Sequence, residues 1–305
     1  MRVKNEHIPY KPKPFLKWAG GKTQLINEIE RRLPKNFKNE KYTYIEPFVG
    51  SGAVLFWLMN KFSNINKAVI NDINPDLINV YKVISINPKE IVSTLLDIQN
   101  EYYTLEANQE KKSEYYYNKR HSYNSRSNDS VTQAALFIFL NRTCFNGLYR
   151  VNRNNEFNVP IGAYKKPTIC DSDNIWAVYK VLQRVEILSG DFEQTINYAE
   201  KNSFFYFDPP YKPLSITSSF NAYAKENFND EQQVRLKNFC SKLDNLNAKW
   251  MLSNSDVSGI KNTENFFDEL YSEFNIIRVK ATRRINSNAN KRGLLDELII
   301  TNYSY

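Results

Sequence analysis

The sequence predicts an α/β domain interrupted by a helical insertion, on three observations. Apolar runs of strand length alternate with helix-period segments over the first 80 residues. The same alternation returns after residue 185. Between them, residues 75–145 read as successive helices carrying several tyrosines and much charge.

TYIEPF (43–48) reads as a buried strand ending in a turn. Gly52 to Lys61 places apolar residues at helical spacing, and KAVINDI (67–73) is a second strand ending in two polar residues. Strand, turn, helix, strand is the opening of a parallel sheet. VTQAALFIFL (131–140) is the most apolar of the helical segments and is expected to be buried. LYRVNRNNEFNVPIGAYKK (148–166) alternates and carries Asn154-Asn155 where a hairpin would turn. Its arms are polar, so it reads as a surface recognition element on a helical platform rather than a core hairpin. VEILSGD (185–191), SFFYFD (203–208), AKWMLSN (248–254), FNIIRVK (274–280) and LDELIIT (295–301) read as strands. NDEQQVRLKNFCSKL (229–243) reads as a helix with a polar cap and Gln233 three residues after Asp230. The expected organisation is a discontinuous domain, residues 1–75 and 169–305, with residues 76–168 inserted.

The 305 residues are 42% hydrophobic and 24% charged, a globular profile. No apolar run reaches the ~18 residues of a membrane span. Met1 to Lys13 lacks the apolar stretch of a secretory signal. Cys144, Cys170 and Cys240 show no metal spacing and cannot all pair, which points to a reducing, cytoplasmic compartment. His7 and His121 are far apart, which argues against a His-rich zinc site. The net charge is +8 and is clustered: residues 1–25 carry +5, 142–166 carry +4 and 280–292 carry +5. Three basic clusters on an otherwise acidic chain suit contacts on one polyanion, although solvated basic loops would look the same.

EPFVGSG (46–52) is a strand end followed by two closely spaced glycines, which lets backbone approach a ligand beside a helix N-terminus. Alone, F-x-G-x-G fits a plain tight turn equally well. Asp72, after Asn71 at the end of the next strand, is placed to take both hydroxyls of a ribose, or is simply a surface acid. WAGGKT (18–23) is no phosphate loop, because Leu16 stands where that motif needs a glycine. FDPPY (207–211) is the sharpest signal. It ends an apolar strand, on the edge where open α/β sheets collect ligands. The two prolines fix the backbone, Asp208 supplies an acceptor for an amino group and Tyr211 a flat face. Those parts suit an exocyclic amine on an aromatic ring.

FLKWAGGK (15–22), EPFVGSG (46–52), NDIN (71–74), FDPPY (207–211) and LSNSD (252–256) occur in that order. In this the chain resembles the Dam-type DNA adenine-N6 methyltransferases of the alpha (D12) class. The likeness runs from Pro14 to Tyr303 and includes NRTCFNGLYRVNRNNEFNVPIGAYKKP (141–167), which is similar to the family's target-recognition hairpin. It also takes in DPPYKPLS, SSFNAY and RRINSNANKR.

The resemblance implies a Rossmann-like methyltransferase sheet, mostly parallel with seven strands, and an inserted helical target-recognition domain carrying a β-hairpin. It implies methyl transfer from S-adenosylmethionine, leaving S-adenosylhomocysteine, to N6 of adenine in duplex DNA, in GATC, with base flipping and no metal. Asp208, Pro209 and Tyr211 would be the catalytic residues. Trp18, Lys22, Phe48, Gly50, Gly52, Asp72, Asp191, Phe192 and again Asp208 would line the cofactor. Lys17, Leu148, Arg150, Pro160 and Tyr164 would read the bases, with Phe145 and Asn146 filling the space left by the flipped base. Asn152, Asn158, Lys165 and Lys166 would meet phosphates. Ala163 departs from the family, where many relatives carry a basic residue. The implied partner is double-stranded DNA, not a membrane, in the cytoplasm at the nucleoid; the enzyme would be solitary or accompany a restriction endonuclease encoded nearby, without direct contact. D-P-P-Y also occurs in RNA and protein-glutamine methyltransferases, which lack this insertion. A catalytically silent DNA-binding regulator would carry a broken D-P-P-Y or F-x-G-x-G, and both are intact.

Overall fold

Residues 10–18, 20, 22–105, 108–211, 228–258, 265–282 and 294–305 are described by the computed structural model. The strands are β1 (Tyr42–Glu46), β2 (Ile65–Ile70), β3 (Val185–Ile187), β4 (Ser203–Phe207), β5 (Lys249–Ser255), β6 (Asn275–Thr282) and β7 (Leu294–Thr301). They form a seven-stranded sheet in the order β3-β2-β1-β4-β5-β7-β6. β1 pairs in parallel with β2 and β4, and β4 with β5; β7 runs antiparallel to both β5 and β6. The sheet is thus mostly parallel, as expected. β3 is shorter than the expected 185–191: the Leu188 amide still donates to the Ile70 carbonyl at the end of β2, and the chain then turns at Gly190, whose φ is +130°.

The chain divides into two compact units. The first comprises residues 21–49, 62–73 and 188–305, and holds every strand except β3 together with α1 (Ile26–Arg31), α8 (Asp230–Asn245) and α9 (Phe266–Leu270). Every residue of β4 is buried, which explains its unbroken apolar sequence: a central parallel strand is covered on both faces. Its alternate side chains Phe205 and Phe207 pack on Phe239 of α8, with ring centroids 6.4 and 6.0 Å apart. Ile45, Leu236, Leu243, Trp250, Leu252, Leu298 and Ile300 complete that core. Asn229 caps α8 by accepting from the Gln232 amide; the cap lies one residue earlier than the Asp230–Gln233 spacing suggested, and Gln233 is instead fully buried.

The second unit comprises residues 1–20, 50–61 and 74–187. It is larger than the 76–168 segment expected, because it also takes in α2 (Ala53–Lys61) and α7 (Ser172–Leu182). Its other helices are α3 (Pro75–Ile86), α4 (Pro88–Thr104), α5 (Gln109–Asn124) and α6 (Ser130–Thr143). Asn74 caps α3 by accepting from the Asp76 and Leu77 amides, with Pro75 in the first turn where its missing N–H costs nothing. α6 is buried from Ala134 through Asn141, as its apolar sequence required.

The 148–166 stretch turns back at Asn154-Asn155, with Asn155 at φ +63°, but it forms no regular strands. Two isolated antiparallel bridges hold it, Cys144 with Ile161 and Val151 with Phe157. Its arms are not wholly polar in effect: Val151, Phe157 and Val159 are buried, and the Phe157 ring meets Tyr123 of α5 edge-on at 6.2 Å. These few apolar anchors hold the loop on its platform.

Candidate active site and recognition loop

In the sheet-containing unit, Asp208 follows β4 where Pro209 and Pro210 end the ladder. Its Oδ1 lies 2.9 Å from the Lys22 ammonium, whose side chain is 5% exposed against 19% for Asp208. The same ammonium stands 4.3 Å from the centroid of the Tyr211 ring. Burial pushes the Asp208 carboxyl up from its ordinary value, and the Lys22 charge pulls it back. Ser253 of β5 donates toward Asp208 Oδ1 at 3.4 Å and pairs with the Tyr206 hydroxyl at 3.0 Å. The Tyr211 hydroxyl donates to Glu297 of β7 at 2.8 Å. Burial, then the Asp208 and Glu297 charges, push the Tyr211 hydroxyl well above its usual range. Gln233 donates to the Pro210 carbonyl at 3.4 Å and accepts from Asn254 at 3.3 Å.

A second cluster lies at the ends of β1 and β2. Asn71 is buried and ties three turns together. Its amide donates to the carbonyls of Pro47 (3.0 Å) and Gly190 (2.9 Å), and its oxygen accepts from Gln194 at 2.8 Å. The Asp72 carbonyl accepts from the Gly190 amide at 3.0 Å, so Asp72 is fixed at the strand end. The Phe48 and Phe192 rings lie 5.3 Å apart. Asp191 caps the turn 192–198 through the Glu193 amide and receives both terminal nitrogens of Arg235 at 2.6 and 2.8 Å. The Arg235 guanidinium also covers the Phe192 ring at 4.8 Å. Arg235 was not among the residues the sequence singled out.

In the helical unit, Gly50 and Gly52 adopt φ of +49° and +72°. A Cβ on Gly50 would stand 3.0 Å from the Trp18 ring, and one on Gly52 would strike the Tyr81 hydroxyl at 2.7 Å. Tyr81 donates to the Gly50 carbonyl at 3.0 Å and holds the turn.

The 144–164 loop is built on Asn141, which is buried near the end of α6. Its oxygen accepts from the Lys17 amide at 2.8 Å, and its amide donates to the carbonyls of Lys17 (2.7 Å) and Gly147 (3.1 Å). Lys17 then lies over the Tyr164 ring, 3.9 Å from its centroid. Phe145, Asn146, Leu148, Arg150, Pro160, Lys165 and Lys166 are exposed. Arg150 Nε donates to Asn158 Oδ1 at 2.7 Å, and Asn152 closes the loop turn through the Asn154 and Glu156 amides. Asn152 and Asn158, expected at phosphates, are thus engaged inside the loop. Arg142, counted in the basic cluster, donates to the Phe15 carbonyl at 2.7 Å. Residues 283–293, which carry four of the five basic residues of the third cluster, lie outside the described residues, as do Arg2 and Lys4 of the first, the second half of DPPYKPLS, and all of SSFNAY and RRINSNANKR.

A family model described as D12 class N6 adenine-specific DNA methyltransferase matches residues 18–285. The type II methyltransferase M.MjaIII of Methanocaldococcus jannaschii is 50% identical over 296 residues, covering 95% of this chain and 99% of the relative. M1.LlaDCHI of Lactococcus lactis is 39% identical, covering 95% of each chain. The DNA adenine methylase of Escherichia coli K12 is 35% identical, again covering 95% of each.

Proposed function

Because the chain belongs to the D12 class of N6 adenine-specific DNA methyltransferases, we propose that it methylates adenine within GATC of duplex DNA, taking each target base out of the helix into the Asp208–Tyr211 pocket. The observation that carries this reading is the arrangement of a carboxylate, a proline carbonyl and an aromatic face at one strand end. An adenine inside a duplex cannot reach such a corner, so it must be extruded.

Bound S-adenosylmethionine supplies an electrophilic methyl group on a sulfonium. In the sheet-containing unit Phe48 would hold its methionine end, Asp72 its ribose, and Asp191 with Phe192 its adenine. Lys22, Asp208 and Glu297 together carry a net charge of −1, which favours a cationic ligand. Asp208 and the Pro209 carbonyl accept the two N–H bonds of the target amine. That favours a tetrahedral nitrogen and frees its lone pair from the ring. The carboxylate then stabilises the positive charge that grows on nitrogen. One proton leaves the methylated nitrogen through Asp208, which is 19% exposed.

Residues 76–168 act as the target-recognition domain. Arg150 is held by Asn158 with its remaining N–H groups outward, a fork suited to guanine O6 and N7. Exposed Leu148 and Pro160 suit a thymine methyl, and exposed Phe145 beside Asn146 suits the gap left by the flipped base. The enzyme works at the nucleoid, alone or beside a restriction endonuclease it does not touch. The test is single-base mapping of N6-methyladenine on DNA exposed to the purified protein and cofactor. Methylation confined to GATC supports the reading, and methylation elsewhere at equal frequency overturns the recognition sequence but not the chemistry.

A further inference from the structure

The base-facing tyrosine is bonded to a buried acid that no motif of the sequence marks. Glu297 lies within β7, opposite Ser255 of β5 and Val279 of β6, and is only 7% exposed. A carboxylate in the interior of a sheet is costly unless it has a partner, and it accepts the Tyr211 hydroxyl at 2.8 Å. The other side of the same ring carries a cation at close range: the Lys22 ammonium is 4.3 Å from the ring centroid while it pairs with Asp208. One ring therefore sits between a buried carboxylate on its hydroxyl and a positive charge on its face. Donation of the O–H to a carboxylate draws electron density onto the ring and fixes its orientation, and an electron-rich aromatic face attracts cations.

We propose that Glu297 is a positioning residue for methyl transfer, which acts through Tyr211 to make the ring a cation-stabilising wall and not only a stacking surface. This rests on the reading that Tyr211 lies against the target base. In the step itself the amine lone pair forms the N–CH3 bond while the S–CH3 bond breaks with its electron pair going to sulfur. The sulfonium becomes a neutral thioether, and the positive charge passes to the nitrogen until the proton is lost. Throughout, one unit of positive charge lies near the Tyr211 face, where Lys22 shows that a cation is accommodated.

The test compares Glu297→Gln, which keeps an acceptor but removes the charge, with Tyr211→Phe, which keeps the ring but removes the bond. Three quantities are measured on duplexes containing GATC: the single-turnover methylation rate, the DNA dissociation constant, and the fluorescence of 2-aminopurine at the target position. Each variant is expected to slow transfer by roughly tenfold, the size of a desolvated cation–π contact. The double variant should be no slower than the slower single one, and affinity and 2-aminopurine signal should match wild type. A Glu297→Gln rate within twofold of wild type overturns the proposal, as does a double variant whose losses multiply. If Glu297→Gln fails to fold, Tyr211→Phe breaks the same bond without touching the sheet, and an unchanged rate there is equally fatal. Tyr211→Ala separates the parent reading: unchanged fluorescence and rate in that variant remove the tyrosine from the base, and the proposal with it. Loss of signal in Tyr211→Ala with full activity in Glu297→Gln leaves the parent reading standing and sinks only the role of the acid.

Discussion

At the end of β4 the side chains of the corner are half-buried and paired. Asp208 is held by Lys22 and Ser253, Tyr211 by Glu297, and the Pro210 carbonyl by Gln233. In the 144–164 loop the reverse holds: Phe145, Leu148, Arg150 and Pro160 are exposed, and the backbone beneath them is buried and tied by Asn141 and the two bridges. The difference follows from what each region must do. On the proposed function the corner would act on one amine and need its charges fixed in place, where they act strongly without reorganising. A reading loop must present side chains outward to base edges, so only its backbone can be fixed in advance.

The comparison breaks most sharply at Asp208. Asp208→Ala should lower the single-turnover methylation rate by at least ~10²–10³, the usual effect of losing a transition-state charge contact. DNA affinity measured by anisotropy should stay near wild type, because the loop is untouched. Turnover within threefold of wild type would remove Asp208 from the chemistry.

Lys22→Met sharpens the electrostatic half. Burial already pushes the Asp208 carboxyl above its ordinary value, and Lys22 opposes that shift. Without the ammonium the carboxyl rises further. The working form is the ionised one, so activity present at higher pH is lost as pH falls through the folded pKa, and that acid limb should move to higher pH in the variant. A pH–rate profile at saturating cofactor checks it; an unmoved limb means that Lys22 is not the counter-ion in the working enzyme.

Much of this architecture was legible in the sequence. β4 and α6 stood out because burial leaves an unbroken apolar run, and β1, β2 and β5 through shorter apolar stretches, with Asn66 and Lys67 of β2 exposed. The insertion of β7 between β5 and β6 was not legible, since pairing order leaves no trace in periodicity. The groups that position the site were also missed. Asn71, Asn141, Gln233 and Ser253 are polar residues that read as solvent-facing, yet all are buried and spend their hydrogen bonds on backbone or on site residues. Glu297 carried only a faint signal, the second of two adjacent acids, Asp296 and Glu297, just before the apolar residues 298–300. The hairpin alternation was real, but its polar arms hid the three apolar anchors that seat it.

Gly147→Ala tests whether the loop works through its backbone. Gly147 has φ +64°, and an added Cβ would fall 2.3 Å from Lys17 Cδ and 2.6 Å from its Cβ. A left-handed alanine costs roughly 1–2 kcal/mol, and the clash must move Lys17 off the Tyr164 ring. Discrimination between GATC and sites changed by one base should fall, while cofactor affinity measured by calorimetry stays unchanged. Equal loss at all sites would mean that the loop has collapsed and not that it has been re-aimed.

Arg150 and Lys165 separate two jobs done by exposed basic residues within the loop. Arg150 is pinned by two contacts to Asn158, Nε to the side chain at 2.7 Å and Nη2 to the carbonyl at 3.3 Å, so its fork points in a set direction. On the proposed function that would suit base readout. Arg150→Ala should cost ~1–3 kcal/mol against GATC and little against a site already changed at the guanine it reads. Lys165 is different: its carbonyl is held by the Lys112 ammonium at 2.9 Å, while its own side chain is exposed. A flexible, strongly hydrated ammonium on a fixed backbone suits a phosphate, where attraction comes from released counterions and not from a matched edge. Lys165→Ala should therefore weaken binding to every sequence alike and reduce the salt slope of log K by about one unit. Binding isotherms over a salt series, on GATC and on single-base variants, distinguish the two. If Arg150→Ala lowers all sites by one factor and changes the slope as Lys165→Ala does, both residues grip the backbone, and the base-reading task falls to Leu148, Pro160 and Lys17.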